Sequence, residues 1–217
     1  LSLGNTYNKE ELEEFDQRIR KAVGEDFSYF CELKYDGVAI ALTYRNGKLQ
    51  RALTRGDGIR GDDVTHNIRT IRSVPLQLHG KDYPPLFEIR GEVILPAEGF
   101  KKLNQDREKA GEPLFANPRN AASGTLKMQN SALVAKRPLD CLMYYIPGEQ
   151  QLFQSQHESL EAAHAWGFKV PGYNRLAPTL KEVFAYIDHW ELTRKELPWD
   201  IDGVVIKVDS IPLQQQL

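Results

Sequence analysis

Residues 29–54 read YFCELKYDGVAIALTYRNGKLQRALT, and their pattern decides the fold. Tyr29–Leu33, Val38–Tyr44 and Lys48–Thr54 are rich in β-branched and aromatic residues. Asn46-Gly47 between the last two supplies the left-handed conformations that a two-residue hairpin turn needs. Upstream, Leu12, Phe15, Ile19 and Val23 recur at helical spacing after Asn8, a good N-cap, and predict an amphipathic helix over 9–23. Downstream, glycines cluster at 56, 58 and 61, and Leu86–Leu95 predicts another strand. Pro96 opens a helix running to about Lys109, and Pro118–Lys127 reads as a short Ala-containing helix. Leu139–Ile146 returns to strand, and helices over Gln156–Trp166 and Thr179–Arg194 precede a β-branched run, Val204–Val208. No linker is long or polar enough to split the chain, so residues 1–217 read as one α+β domain, with antiparallel-rich sheets and helices around them.

Composition narrows the class. The chain has 217 residues, 41% of them hydrophobic, with 28 basic and 30 acidic side chains for a net charge of −2. A chain of this length buries roughly 70% of its unfolded surface and needs no disulfide staples. Cys31 and Cys141 sit inside apolar runs and read as buried reduced thiols in a reducing, cytoplasmic setting. They lack metal-pair spacing, which argues against a zinc site in this chain. No apolar run approaches the roughly 18 residues of a membrane span, and Leu1-Ser2-Leu3-Gly4-Asn5 has no signal-peptide pattern. The missing initiator Met and the uncapped end at Gln215-Gln216-Leu217 suggest a piece truncated at both ends from a longer protein, and that piece is expected to be a monomer.

Charge is unevenly distributed. Residues 45–72 carry seven basic and three acidic side chains and residues 101–137 carry eight and three, while residues 1–30 sum to −3 and 138–217 to −5. Two basic segments that met in space would form a phosphate-binding surface; apart, they are solvated faces.

Chemistry begins at Glu32-Leu33-Lys34-Tyr35-Asp36-Gly37. A lysine between two strand-like segments, followed by a glycine at a bend, is a candidate nucleophile through its amine. With a reference pKa near 10.4 only about 0.1% of such an amine is free at pH 7.4, so burial or neighbouring cations, Arg55 and Lys207 among them, are expected to assist. The tetrapeptide alone is weak evidence. It is joined by Thr54-Arg55-Gly56-Asp57-Gly58, Glu88-Ile89-Arg90-Gly91-Glu92-Val93 and Asp200-Ile201-Asp202-Gly203-Val204-Val205-Ile206-Lys207.

That set, in that order, resembles the covalent nucleotidyltransferases, which include DNA and RNA ligases and capping enzymes. Ser2-Leu3-Gly4-Asn5 and above all Phe115-Ala116-Asn117-Pro118-Arg119-Asn120-Ala121-Ala122-Ser123-Gly124-Thr125-Leu126 narrow the likeness to the bacterial NAD-dependent DNA ligases. The resemblance implies a ligase/capping-type nucleotidyltransferase fold and an adenylation domain. Lys34 would attack the α-phosphate of NAD, expel nicotinamide mononucleotide and hold AMP. It implies Ser2, Leu3 and Glu32 at the adenine, Glu92 at the ribose with Gly91 admitting close backbone approach, and Arg55 and Lys207 at ribose or phosphate. Asp36 and Asp202 match essential acids that orient lysines or help to hold magnesium. Arg119, Lys127 and Arg194 match DNA-contacting positions, with Lys127 standing where the family usually has arginine. The resemblance also implies an upstream domain that grips the nicotinamide half, and downstream a further lysine, an OB domain, a zinc module, helix-hairpin-helix repeats and a protein-interaction domain. The intact protein would seal nicks in duplex DNA, and this piece would keep the adenosine pocket without ligating. Two rivals are an ATP-dependent ligase or capping-type enzyme, and a binding module that kept the pocket without the chemistry.

Overall fold

The computed structural model describes residues 8–56, 60–148 and 152–217. In chain order the elements are α1 (Lys9–Val23), β1 (Tyr29–Tyr35), β2 (Val38–Arg45), β3 (Lys48–Thr54), α2 (Thr65–Ile68), β4 (Leu86–Ile94), α3 (Ala97–Lys109), α4 (Pro118–Leu126), α5 (Ser131–Val134), β5 (Asp140–Tyr145), α6 (Gln156–Ala165), β6 (Arg175–Ala177), α7 (Leu180–Thr193), β7 (Ile201–Val208) and α8 (Ile211–Gln214). The strands form two antiparallel sheets, ordered β3-β2-β4-β5 and β6-β1-β7. The α+β class with antiparallel sheets is thus present as expected.

Local chemistry explains the elements. Asn8 caps α1 by accepting from the Glu11 N–H at 2.8 Å. The β2–β3 turn is carried by Asn46 at φ 49° and Gly47 at φ 77°, the left-handed pair expected of a two-residue hairpin. Each sheet buries one face. Ile40, Leu42, Ile89, Val93 and Met143 pack under Ile68, Ala121, Ala122, Leu126, Ala163 and Trp166, while Tyr29, Cys31, Leu33 and Tyr35 pack under Leu12, Ile19, Val183 and Tyr186. Ile94 and Leu142, from the larger sheet, join the second cluster and tie the two sheets together. Cys31 and Cys141 are free and buried in separate clusters.

The boundaries that differ from expectation are the ones nearest the candidate chemistry. β1 runs on to Tyr35 and β7 begins at Ile201, so Lys34 and Asp202 lie within strands rather than beyond their ends. A bulge causes this: Leu33 pairs with Val204 but Tyr35 pairs with Ile201, leaving Asp202 and Gly203 together opposite Lys34. Gly203 takes φ 144°, a conformation that side chains rarely adopt, and a Cβ there would meet nothing within 4 Å, so any cost is backbone strain alone. Gly203→Ala is expected to lower the unfolding free energy by about 1–3 kcal/mol in chemical denaturation; an unchanged midpoint would show that the bulge bears no strain. The short elements α2, α5, β6 and α8 were not foreseen. β6 exists through its pairing with β1, Tyr29 opposite Ala177, and has no local signal of its own.

Candidate active site

Lys34-Tyr35-Asp36-Gly37 crosses from one sheet to the other, because β1 belongs to the three-stranded sheet and β2 to the four-stranded one. The Asp36 N–H donates to the Asp200 carbonyl at 3.1 Å, extending the β1–β7 contact. Gly37 then presses against β4, where a Cβ would lie 2.3 Å from the Val93 carbonyl oxygen, so no larger residue fits the crossing. Between the sheets lies a cleft of about 1040 Å³, lined on one side by Glu32, Lys34 and Lys207 and on the other by Arg90, Glu92 and Tyr144, with Arg55, Asp36, Asp202 and Arg119 at its margin.

Within β1 the alternation of side chains sorts the roles. Tyr29, Cys31, Leu33 and Tyr35 enter the core, while Glu32 and Lys34 point to the opposite face. Lys34 is the one exposed residue of the seven. Its side chain is 56% exposed, and Nζ stands 3.6 Å from Asp202 Oδ2. Of the two aids expected for this lysine, burial is not found, the cations Arg55 and Lys207 line the same cleft, and the partner in ion-pair range is a carboxylate.

Glu32 is the opposite case. Its side chain is 7% exposed and accepts from Lys207 Nζ at 2.8 Å, and its second oxygen, Oε2, is buried with no partner. Burial pushes the Glu32 carboxyl above the ordinary carboxylate range, and the Lys207 ammonium, with the nearby Gln156 amide, pulls against it. Beneath it, wholly buried Gln156 donates to the Tyr144 carbonyl at 2.8 Å.

Across the cleft, Glu92 is pushed up to about 7, by burial first and by neighbouring Asp202 and Asp36, against the Gly37 N–H and Arg119. Its folded-state pKa thus exceeds the ordinary value of 4.5. The folded protein keeps this proton longer than the unfolded chain, so the stability it contributes is present at low pH and is lost as pH rises from about 4.5 through 7. Glu92→Gln is expected to flatten that decline, on the order of 2 kcal/mol, in thermal melts across the window. A slope unchanged from wild type would reject the assignment.

The remaining expected residues fall in three places. Arg55 lines the cleft after β3, its N–H donating to the Ala39 carbonyl at 3.1 Å. Arg119, in the first turn of α4, reaches Asp36 Oδ1 at 3.8 Å and so borders the cleft itself, while exposed Lys127 ends that nine-residue helix about 12 Å further on. Arg194 ends α7, donates to the Ile201 carbonyl, and shares a small depression with Asp36, Asp200 and Asp202 behind Lys34. Ser2, Leu3, Asp57 and Gly58 lie outside the described residues. Gly91 does admit a close backbone approach, but by β5: a Cβ would lie 2.3 Å from the Leu142 carbonyl oxygen and 2.8 Å from Met143 Sδ. Tyr144, Arg90 and Gln156 were missed by sequence reasoning. Alternation along β5 puts Tyr144 opposite Cys141 and Met143, but the sequence does not say which strand lies beside it.

The donor set can be tested against a nucleotide and a metal. A buried carboxylate oxygen lacking a donor, beside an aromatic side chain and a lysine, fits the amine edge and the face of a purine. Among the described residues no three His, Cys, Asp or Glu side chains converge as a metal site. Asp36 and Asp202 fit a magnesium ion only as one or two carboxylates completed by phosphate oxygens and water.

A sequence model of the NAD-dependent DNA ligase adenylation domain matches residues 1–217, the whole chain. The chain belongs to that family. Across its full length this adenylation domain is 55% identical to a DNA ligase of Phocaeicola vulgatus and to one of Bacteroides fragilis, covering 33% of each, and 54% identical to a DNA ligase of Flavobacterium johnsoniae, covering 32%. It therefore spans about a third of the length of the curated relatives it matches. No helix among the described residues is long and apolar enough to cross a membrane.

Proposed function

We propose that residues 1–217 form the adenylation domain of a longer multidomain protein, a cytoplasmic enzyme that seals 5′-phosphate/3′-hydroxyl nicks in duplex DNA with NAD as adenylyl donor. The observation that carries this reading is the convergence, in one cleft between two sheets, of Lys34 paired to Asp202, Glu32 paired to Lys207, and Glu92. The Lys34 ammonium first gives a proton to solvent, and the free Nζ amine then forms a bond to the α-phosphorus of NAD as the bond from that phosphorus to the bridging oxygen breaks. Nicotinamide mononucleotide leaves with the electron pair. As the N–P bond forms, the attached proton becomes acidic, and the Asp202 carboxylate, 3.6 Å away, is in reach to take it.

The other residues hold the nucleotide for this displacement. Glu32 Oε2 accepts from the adenine amine, Tyr144 offers a stacking face, and Glu92 accepts from a ribose hydroxyl. Arg55 and Lys207 supply positive charge toward the ribose and phosphates, where negative charge gathers. Asp36 or Asp202, together with phosphate oxygens, would hold a magnesium ion, which would supply charge neutralisation there. In the intact protein AMP passes to the 5′-phosphate of the nick, and the 3′-hydroxyl displaces it. Arg119, Lys127 and Arg194 contact DNA phosphates beside the cleft. The 217-residue chain alone is a monomer that binds the adenosine part and does not ligate.

Cofactor exchange on the full-length protein tests the reading. Sealing of a nicked duplex is expected with NAD and magnesium and not with ATP and magnesium. Sealing with ATP alone would transfer the chain to the ATP-dependent reading. Binding of nucleotide without any adduct on the protein would leave a binding module.

A further inference from the structure

Away from the cleft, the two basic segments are joined by a buried hydrogen-bonding side chain. Asn67, in α2, is 94% buried and donates both amide hydrogens, to the Leu126 and Met128 carbonyls, each at 2.7 Å. These carbonyls belong to the residues on either side of Lys127, which is itself exposed and ends α4. The last carbonyls of a helix have no partner within the helix, and here a side chain from 59 and 61 residues away supplies one for Leu126 and reaches past it to Met128. Two carbonyl acceptors also fix the orientation of the amide, since only the NH₂ can serve both. Asn67 is anchored in turn, its N–H donating to the Val64 carbonyl at 3.0 Å and its own carbonyl accepting from Thr70 Oγ1 at 2.7 Å.

We propose that Asn67 is a positioning residue for DNA binding: by holding the carbonyls on both sides of Lys127, it fixes the backbone from which that lysine reaches a duplex phosphate. A lysine has a long, freely rotating stem and, unlike arginine, no planar fork to orient it on a phosphate. Backbone rigidity at its root is what remains to limit the entropy lost on contact. The proposal rests on the reading of Lys127 as a phosphate contact, and the test separates the two.

Binding of a nicked duplex by the full-length protein is measured against salt concentration for wild type, Lys127→Ala, Asn67→Ala and the double variant. Each phosphate contact steepens the log–log salt slope by about 0.9. Lys127→Ala is expected to make the slope shallower by about that amount, Asn67→Ala by a similar amount, and the double variant by no more than either single change. Adenylation of Lys34, read as AMP adduct by mass spectrometry, stays at the wild-type level in Asn67→Ala. Asn67→Ser, which removes less volume, gives the same reading should the alanine variant fold poorly. A purely structural role predicts a lowered melting temperature with the wild-type slope. A wild-type slope in the Asn67 variants, or a double variant whose slope loss is the sum of the two, overturns the proposal while leaving Lys127 a contact. A wild-type slope in Lys127→Ala removes the phosphate contact and the proposal with it.

Discussion

Lys34→Ala is expected to abolish the AMP adduct on the full-length protein after incubation with NAD and magnesium, with almost no loss of stability. The side chain is more than half exposed, and its ion pair with Asp202 at 3.6 Å is of the exposed kind, worth at most about 1 kcal/mol. A large loss of chemistry beside a negligible loss of folding identifies a nucleophile rather than a structural lysine. Lys34→Arg sharpens the test, because it keeps the charge and much of the length. A guanidinium does not deprotonate in a protein and cannot form the N–P bond, so arginine is expected to fail as completely as alanine. Asp202→Asn retains shape and loses the proposed proton acceptor, and a slowed but measurable adduct rate is expected. An undiminished adduct in Lys34→Ala, read by intact-mass spectrometry, removes Lys34 from the role.

The fold was legible wherever local chemistry determined the structure. Asn8 before an amphipathic run and Asn46-Gly47 between two β-rich runs each specify an element from a few adjacent residues, and α1 and the β2–β3 hairpin stand where those signals put them. The site was less legible, because its geometry comes from pairing. Nothing local to Val204–Val208 says that β7 starts at Ile201; the bulge opposite Lys34 does, and it depends on the register with β1. Glu32 was legible as a pocket residue through the family resemblance, but its burial and its 2.8 Å contact with Lys207, 175 residues away in sequence, come from strand pairing. Tyr144 and Gln156 were illegible for the same reason: each reaches the site through a neighbouring strand or helix that the sequence does not name. Of the two aids expected for Lys34, burial or neighbouring cations, burial is absent, because the lysine stands at the sheet crossing, where the chain leaves β1 for β2 and the cleft opens, while Arg55 and Lys207 line that same cleft.

Lys207→Met is expected to destabilise the protein by about 3–5 kcal/mol, since it leaves the buried Glu32 carboxylate without its counter-charge. The pH dependence has a definite sign. Glu32 already titrates above the ordinary carboxylate range because of burial, and Lys207 opposes that rise. Removing Lys207 raises the folded-state pKa further above that of the unfolded chain. Folding then favours the protonated acid, so the deficit is smallest at low pH, where the acid is neutral, and grows as pH rises. The double variant Glu32→Leu/Lys207→Met separates stability from chemistry. Two apolar side chains in the same space need no desolvation of charge, so thermal melts of the double variant are expected to recover most of the loss suffered by the single one. Adenylation is not expected to recover, because the double variant lacks both the acceptor proposed for the purine amine and the cation proposed for the phosphates. Recovery of adduct formation together with stability would show that the pair serves folding alone; persistence of the single variant's full instability would show that the buried charge was not its cause.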